Sequence, residues 1–309
     1  MATTKEKVII SGRKRGKGIV FAFLAPPILI YLLFFIYPAV NAFKVAMYDW
    51  SGFNYANAKF IGLANFKEAL TDKWVWLALS NNLYILVFGG LLMFSAALFF
   101  AAVLTTPGFR GRSFYKAIIF LPYVLNQVGV ALLWIFILQP RFGMLNTLLR
   151  GIGLDALALT WLGGRGLAMG SIIYVLVWSS IGFYMILLIA GIETIPGDLY
   201  DAAKVDGASA IQTFRYLTLP LIRDILAIGV VFWMINAIKE FGVVWTLTRG
   251  GPANLTNTIS TYMMNEALPY QKPDFRLGYA SAIAVVLFIL VFGVTLLFFR
   301  LRRKEAIEF

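Results

Sequence analysis

The sequence predicts an all-α membrane protein that crosses the bilayer six times. Three observations lead to this fold class. Hydrophobic residues make up 60% of the 309 residues and charged residues only 14%, and the mean hydropathy is +0.80. A soluble domain of this size could not bury so many apolar residues. The apolar residues also occur in continuous runs that do not alternate with polar residues, and such runs indicate helices rather than a barrel.

Six segments reach the roughly 20 apolar residues that a helix needs to cross a bilayer. They are residues 19–40, 77–104, 114–138, 170–192, 225–247 and 279–301. The first run is longer than the apolar part of a cleaved signal peptide, so we expect it to be retained as a helix. Pro26, Pro27 and Pro38 predict irregularities within it.

The distribution of basic residues predicts that both termini are cytoplasmic. If the helices alternate from a cytoplasmic N-terminus, sixteen of the 27 Lys and Arg residues lie inside and ten outside, while Lys239 lies within the fifth span. The strongest contributions come from the two tails and from the short loop with Arg110 and Arg112. Cytoplasmic segments of membrane proteins are enriched in this way. The net charge of +12 therefore reflects the topology of the chain in the membrane, and no nucleic-acid partner is expected.

Cysteine and histidine are both absent from the sequence. Their absence excludes a disulfide framework, a cysteine or histidine metal site and any chemistry that needs a thiol or an imidazole. No group of carboxylates stands out as a catalytic or metal-binding cluster near a membrane interface. The sequence therefore predicts neither an enzyme nor a metal site.

The loop between the fourth and fifth spans is too polar to cross the membrane, and its pattern predicts a pair of short helices. Asp198 can cap the first helix, and Gly207 permits a sharp turn before the second. Pro220 then opens the fifth span. The predicted elements of this loop, residues 193–224, are a helix at about 199–205 and a helix at about 210–217.

Apolar and small residues share one face of this helix pair. They are Leu199, Ala202, Ala203, Phe214 and Leu217. Two interpretations of this face are open from the residues alone. The pair could pack on the chain's own spans, or it could dock on a cytoplasmic partner.

The loop also carries a spaced motif. An acidic residue and two alanines are followed by three residues, a glycine, nine residues, and then an aliphatic residue, one further residue, leucine and proline. The positions are Asp201, Ala202, Ala203, Gly207, Leu217, Leu219 and Pro220. This motif resembles the signature of permease subunits in binding-protein-dependent ABC importers, with Asp201 where glutamate is usual and Leu217 where isoleucine is usual. The resemblance favours the docking interpretation.

Further stretches resemble the carbohydrate branch of that family, which includes maltose-type permeases. They are residues 109–115 with Leu121 and Pro122, residues 247–252 with Thr256, and residues 278–282. The resemblance covers roughly residues 20–300 and implies the transmembrane domain of a type I ABC importer. It divides the chain into a basic cytoplasmic tail at 1–18, the first helix and an outer loop at 19–76, a core permease domain at 77–301 and a cytoplasmic tail at 302–309.

The sequence contains no phosphate-binding loop of the form Gly, four residues, Gly-Lys-Ser/Thr, so we do not expect this chain to hydrolyse ATP. The resemblance implies that two separate ATPase subunits bind ATP and Mg²⁺, that this chain needs no cofactor, and that Asp201 pairs with a basic group on the ATPase. It also implies a second permease that is a different chain and an extracytoplasmic solute-binding protein. The location implied is the inner or plasma membrane of a prokaryotic cell, in contact with lipid.

Polar and aromatic residues at membrane depth are the candidates for a solute path. On the fifth span, Asn236, Lys239 and Glu240 are predicted to share one broad helix face near Phe232 and Trp233. Charged residues at this depth usually face a cavity or a partner, so an ion pair with the companion permease is the alternative. The candidates on the third and fourth spans are Asn126, Gln127, Trp178, Ser180 and Tyr184.

Two outer segments are candidates for contact with the solute-binding protein. The first is the loop at 248–277, whose alternative interpretation is a disordered connector. The second carries the aromatic residues Trp50, Phe53, Tyr55 and Phe60.

The predicted function is therefore that of a permease subunit of an ATP-driven sugar importer that works by alternating access. Importing a glycerol phosphate ester or another polyol-like solute with the same machinery is the nearest alternative, and an unpaired Lys239 in the cavity would favour it. An ion-driven secondary transporter is a further alternative, although it leaves the polar helix pair without a role.

Overall fold

The computed structural model describes residues 15–53, 58–268 and 274–302. Most of the basic tail predicted at 1–18 and nearly all of the tail predicted at 302–309 lie outside the described residues. The described residues are mostly helical. One pair of short antiparallel strands, β1 (Tyr48–Asp49) and β2 (Lys59–Phe60), follows the first span, with Tyr48 opposite Phe60.

The predicted fold class is confirmed, since five helical runs in the described residues are long and apolar enough to cross a membrane and a bent pair of helices supplies a sixth. The five runs are Val20–Val45, Lys73–Thr105, Arg165–Ile192, Arg223–Leu247 and Leu277–Phe298. Three of them are irregular. The first and second spans each contain a π-helical turn, and the fifth contains a short non-helical break.

The first and second spans each contain one π-helical turn. The first consists of α1 (Arg15–Tyr31), a π-turn at Leu32–Ile36 and α2 (Tyr37–Val45). In the first span no residue of its most apolar window is buried within the chain, so lipid or another subunit must cover it. The second span consists of α4, a π-turn and α5, with bounds Lys73–Tyr84, Ile85–Gly89 and Gly90–Thr105.

The third span corrects the prediction of a continuous helix at 114–138. Helices α6 (Arg112–Val124) and α7 (Gln127–Ile137) meet at an angle of 96°. Pro122 weakens the last turn of α6 because it has no backbone N–H to donate. Asn126 then adopts an extended conformation and its side chain accepts a hydrogen bond from the N–H of Val128 at 2.8 Å, so it caps α7 as a new helix.

The fifth span corrects the predicted helix at 225–247 in the same way. It is broken between α13 (Arg223–Ile238) and α14 (Gly242–Leu247). The three intervening residues, 239–241, are not helical, and we refer to them as the wall break. The fourth span, α9 (Arg165–Ile192), is unbroken and contributes more than any other helix to the main buried apolar cluster.

The remaining elements lie between the spans. They are α3 (Ala64–Thr71), α8 (Met144–Gly151), a 3₁₀ turn at Asp155–Leu157, α10 (Gly197–Val205), α11 (Ala210–Thr213), a π-turn at Phe214–Thr218, α12 (Leu219–Leu221) and α15 (Ile259–Ala267). The last span is α16 (Leu277–Arg302). We refer to residues 197–218, from α10 to the π-turn, as the coupling hairpin.

Two details of the predicted hairpin are corrected. Pro196, rather than Asp198, is the N-cap residue of α10, and Asp198 lies in its first turn, where its negative charge still favours the helix N-terminus. Pro220 belongs to the three-residue α12, and the fifth span begins at Arg223 after a non-helical Ile222.

Ion pairs place the hairpin and the loop before α6 at the same end of the bundle. The Glu193 carboxylate, which follows α9, contacts Arg112 and lies 3.4 Å from the Lys116 ammonium. We call this the hairpin end. At the opposite end, Asp72 accepts hydrogen bonds from the hydroxyls of Tyr262 and Tyr279 at 2.5 and 2.8 Å. Burial raises the pKa of Tyr262, so the phenol stays protonated and serves as a donor.

Candidate functional site

The coupling hairpin is folded by interactions within itself. Gly207 has φ of +75°, a left-handed conformation that glycine adopts without strain. The N–H of Gly207 donates to the carbonyl of Lys204, and the N–H of Ala208 donates to the carbonyl of Ala203. These two hydrogen bonds end α10. The side chains of Ser209 and Gln212 form a reciprocal cap at the start of α11. The predicted turn and both helices are therefore present.

An open groove of about 450 Å³ lies between the two arms of the hairpin. Its lining consists of Leu199, Ala202, Ala203, Asp206, Gly207, Ala208, Gln212, Thr213, Tyr216 and Leu217. Four of the five residues predicted to form the apolar face are among them, and Phe214 is not. The small side chains of Ala202 and Ala203 leave the space that forms the groove.

The chain's own spans do not cover this surface in the part of the chain that the structure describes. Leu199 and Tyr216, which line the groove, are 41% and 71% exposed, and Val205 and Ile211 elsewhere on the hairpin are 88% and 79% exposed. Large apolar side chains at such exposure in a polar loop mark an interaction surface. The structure therefore does not support the alternative in which the hairpin packs on its own spans.

The remaining motif residues lie at the edge of this surface. Asp201 is exposed and pairs with Lys204 at 2.8 Å within α10. Such an exposed pair contributes little, so the Asp201 carboxylate can exchange this partner for another. Leu219 and Pro220 lie in α12, outside the groove, where they connect the hairpin to the fifth span.

A second cavity, of about 600 Å³, lies within the membrane-spanning bundle. Its lining consists of Ile85, Tyr123, Gln127, Leu176, Ser180, Phe183, Tyr184, Phe232, Trp233, Asn236, Ala237, Lys239, Glu240, Phe241 and Gly242. Both broken spans contribute to it, because α6, α7, α13 and α14 all present residues there. We refer to it as the bundle cavity. Its volume falls within the usual range for sites that bind small molecules.

The structure brings eight of the ten predicted path residues into the bundle cavity. They are Gln127, Ser180, Tyr184, Phe232, Trp233, Asn236, Lys239 and Glu240. The other two, Asn126 and Trp178, do not line it. Asn126 caps α7, and Trp178 lies edge-on to Trp134 with ring centroids 5.5 Å apart.

The predicted shared helix face of Asn236, Lys239 and Glu240 is wrong, since α13 ends at Ile238. Lys239 and Glu240 belong instead to the wall break, and they have different environments. Glu240 is buried and its Oε1 accepts a hydrogen bond from the N–H of Val243 at 2.9 Å, in the first turn of α14. Lys239 is exposed, and no carboxylate among the described residues lies within ion-pair distance of it.

Two of the aromatic lining residues are held in place by their neighbours. The Trp233 indole donates to the carbonyl of Leu86 at 2.9 Å and lies against Gly89 and Gly90, where a Cβ atom would approach it within 3 Å. The Tyr184 ring lies edge-on to Trp233, with ring centroids 6.1 Å apart. Trp233 therefore serves mainly to fix the wall, while Asn236 is exposed to the cavity.

The sequence analysis missed several residues that shape the bundle cavity. Tyr123, Phe183 and Phe241 line it. Asn81 and Asn82 lie nearby, fully buried within the second span. Two adjacent asparagines in an apolar run are costly to bury without partners, and this signal in the sequence could have identified them.

The loop after α14 is ordered, so the alternative of a disordered connector is wrong for its first part. Thr256, Asn257 and Thr258 are buried, and the amide of Asn81 donates to the carbonyls of Leu255 and Asn257 at 3.0 and 2.8 Å. Its later residues 269–273 lie outside the described residues. Among the aromatic residues predicted to add to this surface, Phe53 and Phe60 are exposed and Trp50 bonds to the carbonyl of Phe53, while Tyr55 is not described.

Comparison with known proteins gives a family. Residues 93–304 match the family described as binding-protein-dependent transport system inner membrane component. This chain belongs to that family. The permease is also 36% identical, over 94% of its length and 99% of the relative, to the probable ABC transporter permease protein YurN of Bacillus subtilis.

Two further relatives bear on cargo and fold. The permease is 37% identical, over 89% of its length and 82% of the relative, to the diacetylchitobiose uptake system permease protein NgcF of Streptomyces coelicolor. Its fold matches the crystal structure of a bacterial ABC transporter involved in the import of the acidic polysaccharide alginate. There the TM-score is 0.81 at 24% identity, over 95% of this chain and 98% of the other. The fold is therefore that of an ABC importer transmembrane domain.

The matched family segment includes the coupling hairpin and all the elements of the bundle cavity from α6 onward. As a family member, the permease is a transport component of a cell membrane and acts with a separate binding protein. Asn81 and Asn82 precede the matched segment.

Proposed function

We propose that this chain forms one half of the translocation pathway of an ATP-driven carbohydrate importer and couples it to separate ATPase subunits. One observation carries the proposal. The hairpin is inserted between α9 and α13, and both of these helices line the bundle cavity. A force on the hairpin can therefore reach the cavity walls through the two helices that flank it, as alternating access requires.

The proposed cargo is a carbohydrate because the bundle cavity offers aromatic rings and hydrogen-bonding groups together. Tyr123, Phe183, Phe232 and Phe241 provide ring faces that can stack on the apolar face of a sugar. The side chains of Gln127, Ser180 and Asn236 can bond to hydroxyl groups. The relationship to the diacetylchitobiose permease supports this class of solute.

A second permease subunit would complete the cavity. Tyr123, Gln127, Phe232 and Asn236 are exposed in this chain although they line a cavity at membrane depth. A companion permease on this side would close the pathway, and the resemblance to the carbohydrate branch favours a different chain. The first span, whose most apolar window has no residue buried within the chain, would face lipid or that companion.

The energy would come from two ATPase subunits that bind ATP and Mg²⁺, each presenting a cleft to a hairpin of this kind. In this arrangement Asp201 pairs with a basic group on the ATPase, and Leu199, Ala203 and Leu217 contact it through the groove. The chain itself would carry out no catalysis. The hairpin end would be cytoplasmic, together with both termini, and the opposite end would receive the solute-binding protein.

One observation favours a second class of cargo, a polyol that carries an anionic group such as a phosphate ester. The Lys239 ammonium lines the cavity without a carboxylate partner among the described residues, and the Glu240 carboxylate is occupied by backbone N–H. Competition between neutral sugars and their phosphate esters for uptake would separate the two classes. A preference for the phosphate ester that disappears in Lys239→Gln would select the second class.

The proposed function is tested by uptake into proteoliposomes that contain this chain, its companion permease and the ATPases. With carbohydrate-loaded binding protein outside and ATP inside, we expect accumulation that requires both. Uptake that follows an ion gradient and persists without ATP would contradict the proposal and would select a secondary transporter.

A further inference from the structure

Two adjacent asparagines on α4, Asn81 and Asn82, bind different parts of the chain. Both are buried, at 0% and 3% exposure. Asn82 Nδ2 donates to the carbonyls of Ala237 and Ile238 at 2.7 and 2.9 Å, and its Oδ1 accepts from the N–H of Ile259 at 2.9 Å. Asn82 therefore joins the end of α13 to the start of α15.

The contacts of Asn82 satisfy a need that the wall break creates. The last carbonyls of a helix have no partners within the helix, and at buried positions an unpaired carbonyl is costly. Because α13 ends at Ile238 inside the bundle, its final carbonyls need donors from elsewhere. One side-chain amide supplies two of them, so the position of the wall break depends on Asn82.

A second link joins the same two elements. The hydroxyl of Thr258, the N-cap residue of α15, donates to the carbonyl of Glu240 at 2.6 Å. Thr258 is fully buried. Thus the start of α15 holds the wall break through Thr258 directly and through Asn82 indirectly.

Helix α15 continues from these contacts to the cluster at the opposite end. Tyr262 bonds to Asp72, and the buried Glu266 pairs with Arg276 at 3.3 Å. Arg276 also contacts Glu68 at 2.6 Å. This short helix therefore connects the surface of the opposite end with a wall of the bundle cavity.

We infer that Asn82 is a positioning residue that transmits movement of α15, produced when the solute-binding protein docks, to the wall break at 239–241. If α15 moved alone, two buried hydrogen bonds would be lost, from the N–H of Ile259 to Asn82 and from the hydroxyl of Thr258 to Glu240, so the two elements move together. The inference rests on the proposed function. Asn81 provides the internal comparison, because its amide bonds to the carbonyls of Leu255 and Asn257 and, among the described residues, it forms no hydrogen bond with the wall break.

The test uses the complete importer. Because this chain contains no cysteine, a Lys239→Cys substitution gives it a single thiol that can report on the wall break. The rate of its alkylation by a small maleimide is measured with and without loaded binding protein. We expect a rate change in the Lys239→Cys chain, a reduction of that change by about tenfold when Asn82→Leu is added, and an unreduced change with Asn81→Leu. An equal loss with both leucine variants would overturn the inference.

Thr258 supplies a second pair of variants in case Asn82→Leu does not assemble. Thr258→Val removes the hydroxyl and keeps the shape, whereas Thr258→Ser keeps the hydroxyl. We expect a smaller response of the Lys239→Cys thiol with valine and the parent response with serine. A full response with Thr258→Val would overturn the inference.

The outcomes separate this inference from the proposed function. If the parent importer shows ATP-dependent carbohydrate uptake but its thiol response survives in Asn82→Leu, only the inference fails. If no carbohydrate drives ATP-dependent uptake by the parent importer, the proposed function fails, and the inference fails with it.

Discussion

The coupling hairpin and the bundle cavity are built in opposite ways. The hairpin folds through contacts between residues close in the chain, such as Ser209 with Gln212, and leaves its large apolar side chains exposed. The bundle cavity is assembled from several spans and depends on Asn82, which lies 155 residues from Ala237, to which it donates. A local element can move as a unit, whereas a wall held by distant contacts responds to the arrangement of the whole bundle.

This difference suits the two parts to different tasks. The hairpin can transmit force because its turn and caps keep its shape while its groove contacts a partner. The cavity can change shape because two of its spans are already broken, and irregular backbone at membrane depth is tolerated where it lines a cavity. The following predictions test whether the two parts are as distinct as this comparison requires.

The largest effect is expected from filling the bundle cavity. Asn236→Trp places an indole in the space that a solute would occupy, so uptake should fall to background while ATPase activity stays measurable. Trp178→Phe is the control, because Trp178 lies outside the cavity and should leave uptake near the parent rate. Normal uptake by Asn236→Trp would show that the solute takes another path.

Breaking the hairpin turn should have the next largest effect. Gly207→Asp forces a residue with a side chain into a φ of +75°, which should tilt the two arms of the hairpin. ATP-driven uptake should then fall by about 10- to 100-fold, which corresponds to the loss of a typical coupling free energy. The protein should still insert in the membrane.

Gly108→Asp is the matched control for that variant. Gly108 has φ of +80° and open space around it, like Gly207, and precedes α6 at the same end of the bundle. If both variants reduce uptake equally, the effect comes from strain or charge at that end and not from the hairpin.

A smaller effect, on the stability of the protein, is expected when a hydrogen bond in the wall of the bundle cavity is removed. Trp233→Phe removes the indole N–H that bonds to Leu86, so the free energy of unfolding should fall by about 1–2 kcal/mol. Thermal unfolding of the purified complex in detergent measures it. The same change at Trp178 is the comparison, and equal losses at the two positions would indicate a general effect of losing the larger ring.

The smallest effect separates folding from docking within the hairpin. Asp201→Ala and Lys204→Ala both remove the same exposed pair, so each should change stability by less than about 0.5 kcal/mol. Only Asp201→Ala should lower uptake, because Asp201 is the predicted ATPase contact. Equal uptake by the two variants would remove that role.

The same contrast explains what the sequence could predict. The hairpin follows from Gly207 and the spaced motif around it, since these act on neighbouring residues, although Asp198 is not the cap that the sequence predicts. The six spans follow from apolar run lengths. The bend at Asn126 and the break after Ile238 were not predicted, because an apolar run does not show where distant donors can satisfy freed carbonyls. Trp178 was assigned to the path since a residue's depth can be read from the sequence, whereas the side of α9 that faces the cavity cannot.

The central claim is that the hairpin switches the side of the membrane to which the bundle cavity opens. The accessibility of an Asn236→Cys thiol tests it most directly. A membrane-impermeant thiol reagent is applied from each side of the complete importer, with the ATPases resting or trapped with ATP. The account predicts that access moves from the hairpin side at rest to the opposite side with ATP, and that Gly207→Asp abolishes this change. Access that does not depend on ATP, or a change that persists in Gly207→Asp, would contradict it.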